Sequence, residues 1–313
     1  MQHAPHAPNE APLPPYSIRP IETQDEYREA EQIQREVWGI DDLDVVPSEQ
    51  LRAVRHAGGC LLGAFREEVL IGLAYGFLSL PHGGSGTGLG LHSHLLAVRK
   101  QARAAGVGRA LKWHQRDWAL ARGIDWITWT FDPLQARNAR LNLEHLGAVA
   151  FEYLRDFYGP LAGPLGGGQP SDRLLALWRL RSERVVQRAE RWRMGTTELG
   201  AELVREQAAY ALPFTSHLER DAAPAMVHRE PWIVRAVGGG VEVEPEVGSA
   251  PPDAPTVRVA IPADVTTMLH VAPERVTRWR NAVAAAMTQR LENGYAVIGF
   301  RDGGYVLERD LDK

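Results

Sequence analysis

Cys60 is the only cysteine in 313 residues. No disulfide can form within the chain and no cysteine-based zinc site can be built, so a reducing, cytoplasmic setting is expected. Long apolar runs are missing too. None approaches the roughly 18–20 residues that span a bilayer. The opening residues, MQHAPHAPNEAPLPPYS, lack the apolar stretch of a signal peptide. Charge of one sign is also scarce: 35 Lys and Arg stand against 39 Asp and Glu, a net charge of −4 with His neutral. That balance excludes a general polyanion binder. Neither nucleic acid nor a membrane is expected as a partner.

Hydrophobic residues make up 44% and charged residues 24%, enough for a core of normal size and too apolar for wholesale disorder. Pro5, Pro8, Pro12, Pro14 and Pro15 deny residues 1–16 regular structure, and a flexible tail is expected there. Residues 17–21 read as a first strand. A helix opens at Thr23, with Tyr27, Ala30, Ile33, Val37 and Trp38 at helical spacing, and Gly39 ends it. A second helix is expected over roughly 47–57. Strands 60–66 and 69–80 make a hairpin around Glu67 and Glu68. Residues 81–90, with five glycines, form a loop. From there strands and helices alternate. Strands are expected at 91–98, 124–131, 148–158 and 172–180, with helices at 106–122 and 138–146. The pattern predicts an α+β fold, a mixed sheet flanked by helices.

The pattern restarts past residue 182, where a domain boundary is expected. Residues 183–210 read as a charged helix, and strands are expected at 232–237 and 257–261. Residues 238–255 look like a linker or mobile hairpin. Helix 273–293 turns Val276, Trp279, Val283, Met287 and Leu291 inward and is followed by a hairpin around Asp302-Gly303-Gly304. This smaller C-terminal α+β extension, 183–313, is too slight to bury its own apolar face. It must pack on the first domain, 17–182, or on a second copy, a homodimer being the commoner solution. Trp279 and Val283 are the positions expected at that contact.

The most informative segment is 91–122. A strand runs into Arg103-Ala104-Ala105-Gly106-Val107-Gly108 and then a helix. Two glycines let the backbone turn tightly with its N–H groups facing one concavity, and the helix start adds partial positive charge. This is a diphosphate cradle. Arg99, Lys100, Arg103 and Arg109 add local cations. A Walker loop needs Lys then Ser or Thr after its last glycine, and Arg109-Ala110 stand there. A dinucleotide fingerprint needs a third glycine where Leu111 sits, and a first glycine closer to the strand.

The segment resembles the coenzyme A loop of the GNAT superfamily of N-acyltransferases, Arg/Gln-x-x-Gly-x-Gly/Ala, at Arg103, Gly106 and Gly108 without a gap. The order of elements over 17–180 is similar to a whole GNAT domain. Asn138 and Leu146-Gly147 resemble its next segment. VWG (37–39), SHLLAV (93–98), TFDPL (130–134), RNARLNLEHLGA (137–148), YG (158–159) and DR (172–173) resemble a bacterial branch of GNAT acyltransferases of about this length.

That resemblance implies a GNAT-like, mostly antiparallel sheet and an acyl donor, acetyl-CoA or another acyl-CoA, with no metal. It implies that the backbone of Arg103, Ala104, Ala105, Gly106, Val107, Gly108 and Arg109 holds the pyrophosphate, with Asn138 nearby. The main chain of Leu96 and Val98 would pair with the pantetheine arm. The expected acceptor is the amine of a small metabolite, an amino acid foremost, attacking directly in a ternary complex. Succinyl-CoA is an alternative donor, and a non-catalytic acyl-CoA sensor is the alternative from another class.

His92 and His94 are the candidate bases, two apart on one strand and so on one face. His92 lies six residues before Val98, where several GNAT enzymes place a carboxylate. Both imidazoles can equally be pocket-lining residues. The pair has no third ligand placed by spacing for a zinc ion. GNAT members often carry a tyrosine acid a few residues before the Leu-Gly. Here Leu141-Asn142-Leu143-Glu144 stand there, and Tyr158 and Tyr153 each read either as the substitute or as a half-buried strand aromatic. Asp132 reads as a turn residue before Pro133 or an acceptor contact. For Asp172-Arg173 the two readings are a buried ion pair and a carboxylate clamp by Arg173.

Overall fold

The computed structural model describes residues 16–81, 86–160, 168–195 and 231–309. Most of the expected tail and the second half of the expected helix 183–210 lie outside the described residues. Tyr16 is described: it packs on the core, and its hydroxyl donates to Ala105 O at 3.4 Å.

Strand β1 (Ser17–Pro20) leads to α1 (Gln24–Trp38). The Thr23 hydroxyl accepts from the Glu26 N–H, and the Glu26 carboxylate accepts from the Thr23 N–H. This reciprocal cap fixes the helix start. Gly39, at φ 61°, stops it. Helix α1 turns Tyr27, Ala30 and Ile33 onto a cluster with Leu51 of α2 (Ser48–His56). The same cluster takes Leu61, Leu73 and Tyr75 from β2 (Cys60–Arg66) and β3 (Val69–Ser79). Glu67 and Glu68 make the hairpin turn with φ of 48° and 66°.

Strand β4 (Gly90–Val98) runs antiparallel to β3, and the 3-10 turn Lys100–Ala105 leads into α3 (Val107–Leu120). Strand β5 (Trp126–Phe131) follows. Helix α4 (Ala136–Ala139) widens into a π-helical turn, Arg140–His145. Strands β6 (Val149–Leu154) and β7 (Arg173–Arg179) complete the first half, and α5 (Glu183–Gly195) comes next.

The expected strand 148–158 ends early, at Leu154. Asp156 turns the chain at φ 43°. Side chains hold the turn: Asp156 Oδ1 accepts from Ser171 N, and Ser171 Oγ accepts from Tyr158 N. Tyr158 therefore sits beyond the strand.

The second half adds β8 (Trp232–Val237), β9 (Glu244–Val247), β10 (Thr256–Ala260), α6 (Val265–Val271), α7 (Pro273–Glu292), β11 (Tyr295–Arg301) and β12 (Gly304–Arg309). One sheet holds all twelve strands in the order β1-β2-β3-β4-β5-β7-β6-β11-β12-β10-β8-β9. Its two halves meet where Val297 of β11 pairs with Ala150 of β6. Residues 238–255 form a hairpin with β8 rather than a linker. Glu244 accepts from Arg275 and Arg278 of α7, which ties the hairpin to the helix.

Helix α7 buries Val276, Trp279, Val283 and Met287 completely or nearly so. Trp279 serves its own half, donating from Nε1 to Val243 O at 3.0 Å. Its neighbours reach across position 182. Arg280 grips both Asp132 oxygens, at 3.3 and 3.1 Å, and Thr277 Oγ1 donates to Gln169 Oε1 at 3.1 Å. The buried Tyr305 hydroxyl donates to Pro133 O at 2.6 Å. Arg184 of α5 donates to Leu143 O and Ile298 O.

Candidate active site

Strands β4 and β5 are parallel, but they pair only at Leu91 with Ile127 and His92 with Thr128. Beyond His92 the two strands part, while β5 keeps its full register with β7 through Phe131. The result is a wedge-shaped gap in the sheet, closed at His92 and open toward Val98. A bulge sits at its apex. Tyr75 faces Leu95 and Gly76 faces Ser93, which leaves His94 as the extra residue.

The glycine turn lies at the open end of the gap. Gly106 has φ 69°, a left-handed conformation, and ends the 3-10 turn as α3 starts. That conformation suits glycine and penalises any side chain with a Cβ. Ala110 N donates to Gly106 O at 3.0 Å as the helix begins. The N–H groups of Val107, Gly108 and Arg109 precede it, as the unpaired donors of a helix start do. A Cβ on Gly108 would lie 3.7 Å from Val98 Cγ2 and 3.9 Å from Leu96 Cδ2, so this position looks onto the gap-lining residues. The turn thus offers backbone donors and partial positive charge to an anion, as a pyrophosphate requires.

The basic side chains around this turn mostly serve the protein. Arg99 pairs with Glu36 at 3.1 Å, and Arg103 Nε donates to Val98 O at 3.1 Å. Arg109 lies over the Trp192 ring at 4.7 Å and beside His145 Nδ1 at 3.4 Å. Lys100 and Asn138 are exposed. The local cations anticipated around the cradle are therefore largely engaged, and the backbone is what the turn presents.

His92 and His94 share a face and an aromatic neighbour. Their ring centroids are 6.4 Å apart and lie 5.3 and 5.8 Å from that of Phe77. His92 Nδ1 sits 3.1 Å from Thr128 Oγ1. His94 is half-buried, and desolvation lowers its pKa below the ordinary imidazole value. Its neutral form, the one that accepts a proton, is favoured.

Thr130 lies two residues beyond Thr128, on the same face of β5. Its hydroxyl is 3.3 Å from the Tyr158 hydroxyl, and the Tyr158 ring is half-exposed. Tyr153 is held differently. It donates to Asp172 Oδ2 at 2.8 Å, and burial followed by the Asp172 charge drives its pKa far up. Of the two tyrosines, Tyr158 is the one free of a carboxylate partner among the described residues.

Asp172 is buried and takes its bonds from Tyr153 and from Asp156 N at 3.0 Å, with Arg155 Nε at 3.9 Å. It makes no ion pair with Arg173. Asp132, read as a turn residue or an acceptor contact, caps its own turn through Leu134 N at 2.9 Å and is gripped by Arg280.

Sequence reasoning missed Lys112. It is fully buried on α3 behind β4, and its Nζ donates to Ser93 Oγ and Gln115 Oε1, both at 3.0 Å. The ammonium also lies 3.6 Å from the Trp129 ring centroid. Desolvation lowers its pKa to about 7. No periodicity distinguishes a buried lysine from a solvated one. Thr128 and Thr130 were also missed, although strict alternation along β5 places them together.

Residues 21–147 match the family model described as the acetyltransferase (GNAT) family. The chain carries a GNAT acetyltransferase domain. A domain of that family over these residues supports acyl transfer from an acyl-CoA. Similar solved structures include the ribosomal-protein-S18-alanine N-acetyltransferase from Escherichia coli (16% identity, 53% of this chain and 95% of that one, TM-score 0.43). NAA60 from Arabidopsis thaliana is similar at 19% identity, over 52% of this chain and 98% of that one, with a TM-score of 0.43. Ard1 from Thermoplasma volcanium is similar at 12% identity, over 52% and 95%, with a TM-score of 0.40. No curated protein matches the chain. Among the described residues no helix is long and apolar enough to cross a membrane, and no cluster of three or more His, Cys, Asp or Glu could hold a metal ion.

Proposed function

We propose that this GNAT protein moves an acyl group, from acetyl-CoA or another acyl-CoA, to the amine of a small cytoplasmic metabolite, an amino acid foremost. The observation that carries the reading is the parting of β4 and β5 directly after His92, with the glycine turn at the open end. Such a gap leaves one edge of β4 free for a strand-like ligand. The main chain of Leu96 and Val98 takes the pantetheine arm. The backbone of residues 103–109 takes the pyrophosphate, with Asn138 beside it. The thioester then lies at the apex, next to the bulge at His94.

The acceptor nitrogen attacks the thioester carbon, and the carbon–sulfur bond breaks after a tetrahedral intermediate. Backbone N–H groups at the bulge stabilise the oxyanion. His92, oriented by Thr128, accepts the proton lost by the amine. His94 lines the same pocket in its neutral form. Tyr158 gives a proton to the leaving thiolate. Succinyl-CoA is kept as an alternative donor because a guanidinium, Arg173, lies on the same side of the sheet.

The test is a thiol-release assay with acetyl-CoA and succinyl-CoA against a panel of free amines. Release that depends on the amine, with the acyl amide found by mass spectrometry, supports the reading. Tight CoA binding with no amine-dependent release would make the chain a binding protein instead.

A further inference from the structure

Asp172 and Arg173 are adjacent at the start of β7, so their side chains leave opposite faces of the sheet. The Asp172 carboxylate is spent on Tyr153, Asp156 N and Arg155. The Asp132 carboxylate is spent on Arg280 and Leu134 N. Arg173 is left without either of them. Among the described residues no hydrogen bond or ion pair engages its guanidinium. The contact it makes is with the Tyr158 ring, whose centroid is 5.3 Å from Cζ.

Arg173 is also partly withdrawn from water. Burial pulls its pKa down, the nearby charge of Arg280 adds to that, and the charges of Asp132 and Asp172 offset only part of the effect. A guanidinium carries five donors in a planar fork and is at its best with a carboxylate in two-point contact. Among the described residues no carboxylate makes that two-point contact with Arg173.

The place of this vacant fork matters. Tyr158 links it to Thr130 at 3.3 Å. Thr130 shares its face of β5 with Thr128, and Thr128 meets His92 at 3.1 Å. One face thus carries, in order, a histidine, two threonines, a tyrosine and an arginine, running from the closed end of the gap across β5 to the start of β7. Arg173 stands next to Leu174, the partner of Phe131, so an acceptor with its amine near the histidines would point its acid group along this face toward the guanidinium.

We propose that Arg173, backed by the Tyr158 ring, binds the carboxylate of the acceptor, so that the acceptor class is amines that also carry a carboxylate. This rests on the acyltransferase reading above. A carboxylate could equally be brought by a succinyl donor, and the experiment separates the two sources.

Wild type and Arg173→Ala are compared with acetyl-CoA and the standard amino acids, each beside its carboxamide. Arg173→Ala should raise the acceptor KM by about 10- to 100-fold, the worth of a charge-assisted hydrogen bond, with kcat changed far less. The carboxamides should show no such loss. Arg173→Lys should recover part of it. Equal losses for acids and amides would overturn the clamp. A loss seen with succinyl-CoA and absent with acetyl-CoA would overturn the assignment to the acceptor. Thermal stabilisation of the CoA-saturated protein by the same acids is read in parallel. It should vanish in Arg173→Ala, and its persistence would contradict the proposal even if no amine is turned over. Absence of turnover with wild type would count against the acyltransferase reading alone.

Discussion

Lys112 of α3 and Ser93 of β4 are joined by a 3.0 Å hydrogen bond through the back of the sheet. Ser93 lies between His92 and His94, next to the bulge, so a buried lysine holds the strand that forms the closed end of the gap. The groups packed around its ammonium are Ser93, Gln115, the thiol of Cys60, and the rings of Trp129 and Trp178. None is an anion at neutral pH, because burial pushes the Cys60 thiol up to about 12.

This predicts a pH-dependent stability. Lys112 has a folded pKa of about 7, against about 10.4 for a free lysine. Between those values the unfolded chain binds the proton and the folded chain does not. Unfolding free energy from this residue therefore rises as pH goes from 7 toward 10. Urea melts at several pH values should show that rise for wild type, relative to Lys112→Met. Parallel curves for the two proteins would place the lysine in contact with water or an anion.

Arg280 and Asp132 join the second half of the chain to the end of β5. Both side chains are largely buried, at 7% and 17% exposure, so removing one strands the other. Arg280→Ala should destabilise the protein by about 3 kcal/mol. Arg280→Ala with Asp132→Asn should recover part of that loss in chemical denaturation. A change below about 0.5 kcal/mol, the level of an ordinary surface substitution, would mean that the pair does not join the halves.

The two histidines should differ. His92 has an orienting hydroxyl in Thr128, and His92→Ala is expected to lower kcat by roughly 10²–10⁴-fold, as loss of a general base does. His94→Ala should cost less. The acid limb of the rate profile should disappear with His92 and persist without His94. The opposite order would move the base to the bulge.

Much of the first half was legible in the sequence because local signals agree there. The Thr23 cap, Gly39, the glycine turn at 106–108 and the alternating strands each point to one local structure, and the structure has them. What was not legible depends on long-range partners. Asp156 bends the chain because Ser171 and Asp172 receive it, fifteen residues or more away. Residues 238–255 read by composition as a linker or a mobile hairpin, and what composition does not show is that Arg275 and Arg278 pin Glu244. Likewise, nothing in the sequence shows that Asp172 turns to Tyr153 rather than to Arg173, although that choice is what frees the guanidinium.

A donor site between the glycine turn and the open edge of β4 is central to the proposed function. Calorimetric titration of CoA into wild type and Gly108→Asp tests it most directly. The new Cβ would meet Val98 and Leu96 at ordinary contact distances, and an acid in the first turn suits a helix, so the fold should melt near wild type. The carboxylate would stand where the pyrophosphate belongs. The expected result is CoA binding by wild type and none measurable in the folded variant. Unchanged CoA affinity in a folded Gly108→Asp protein would contradict the account.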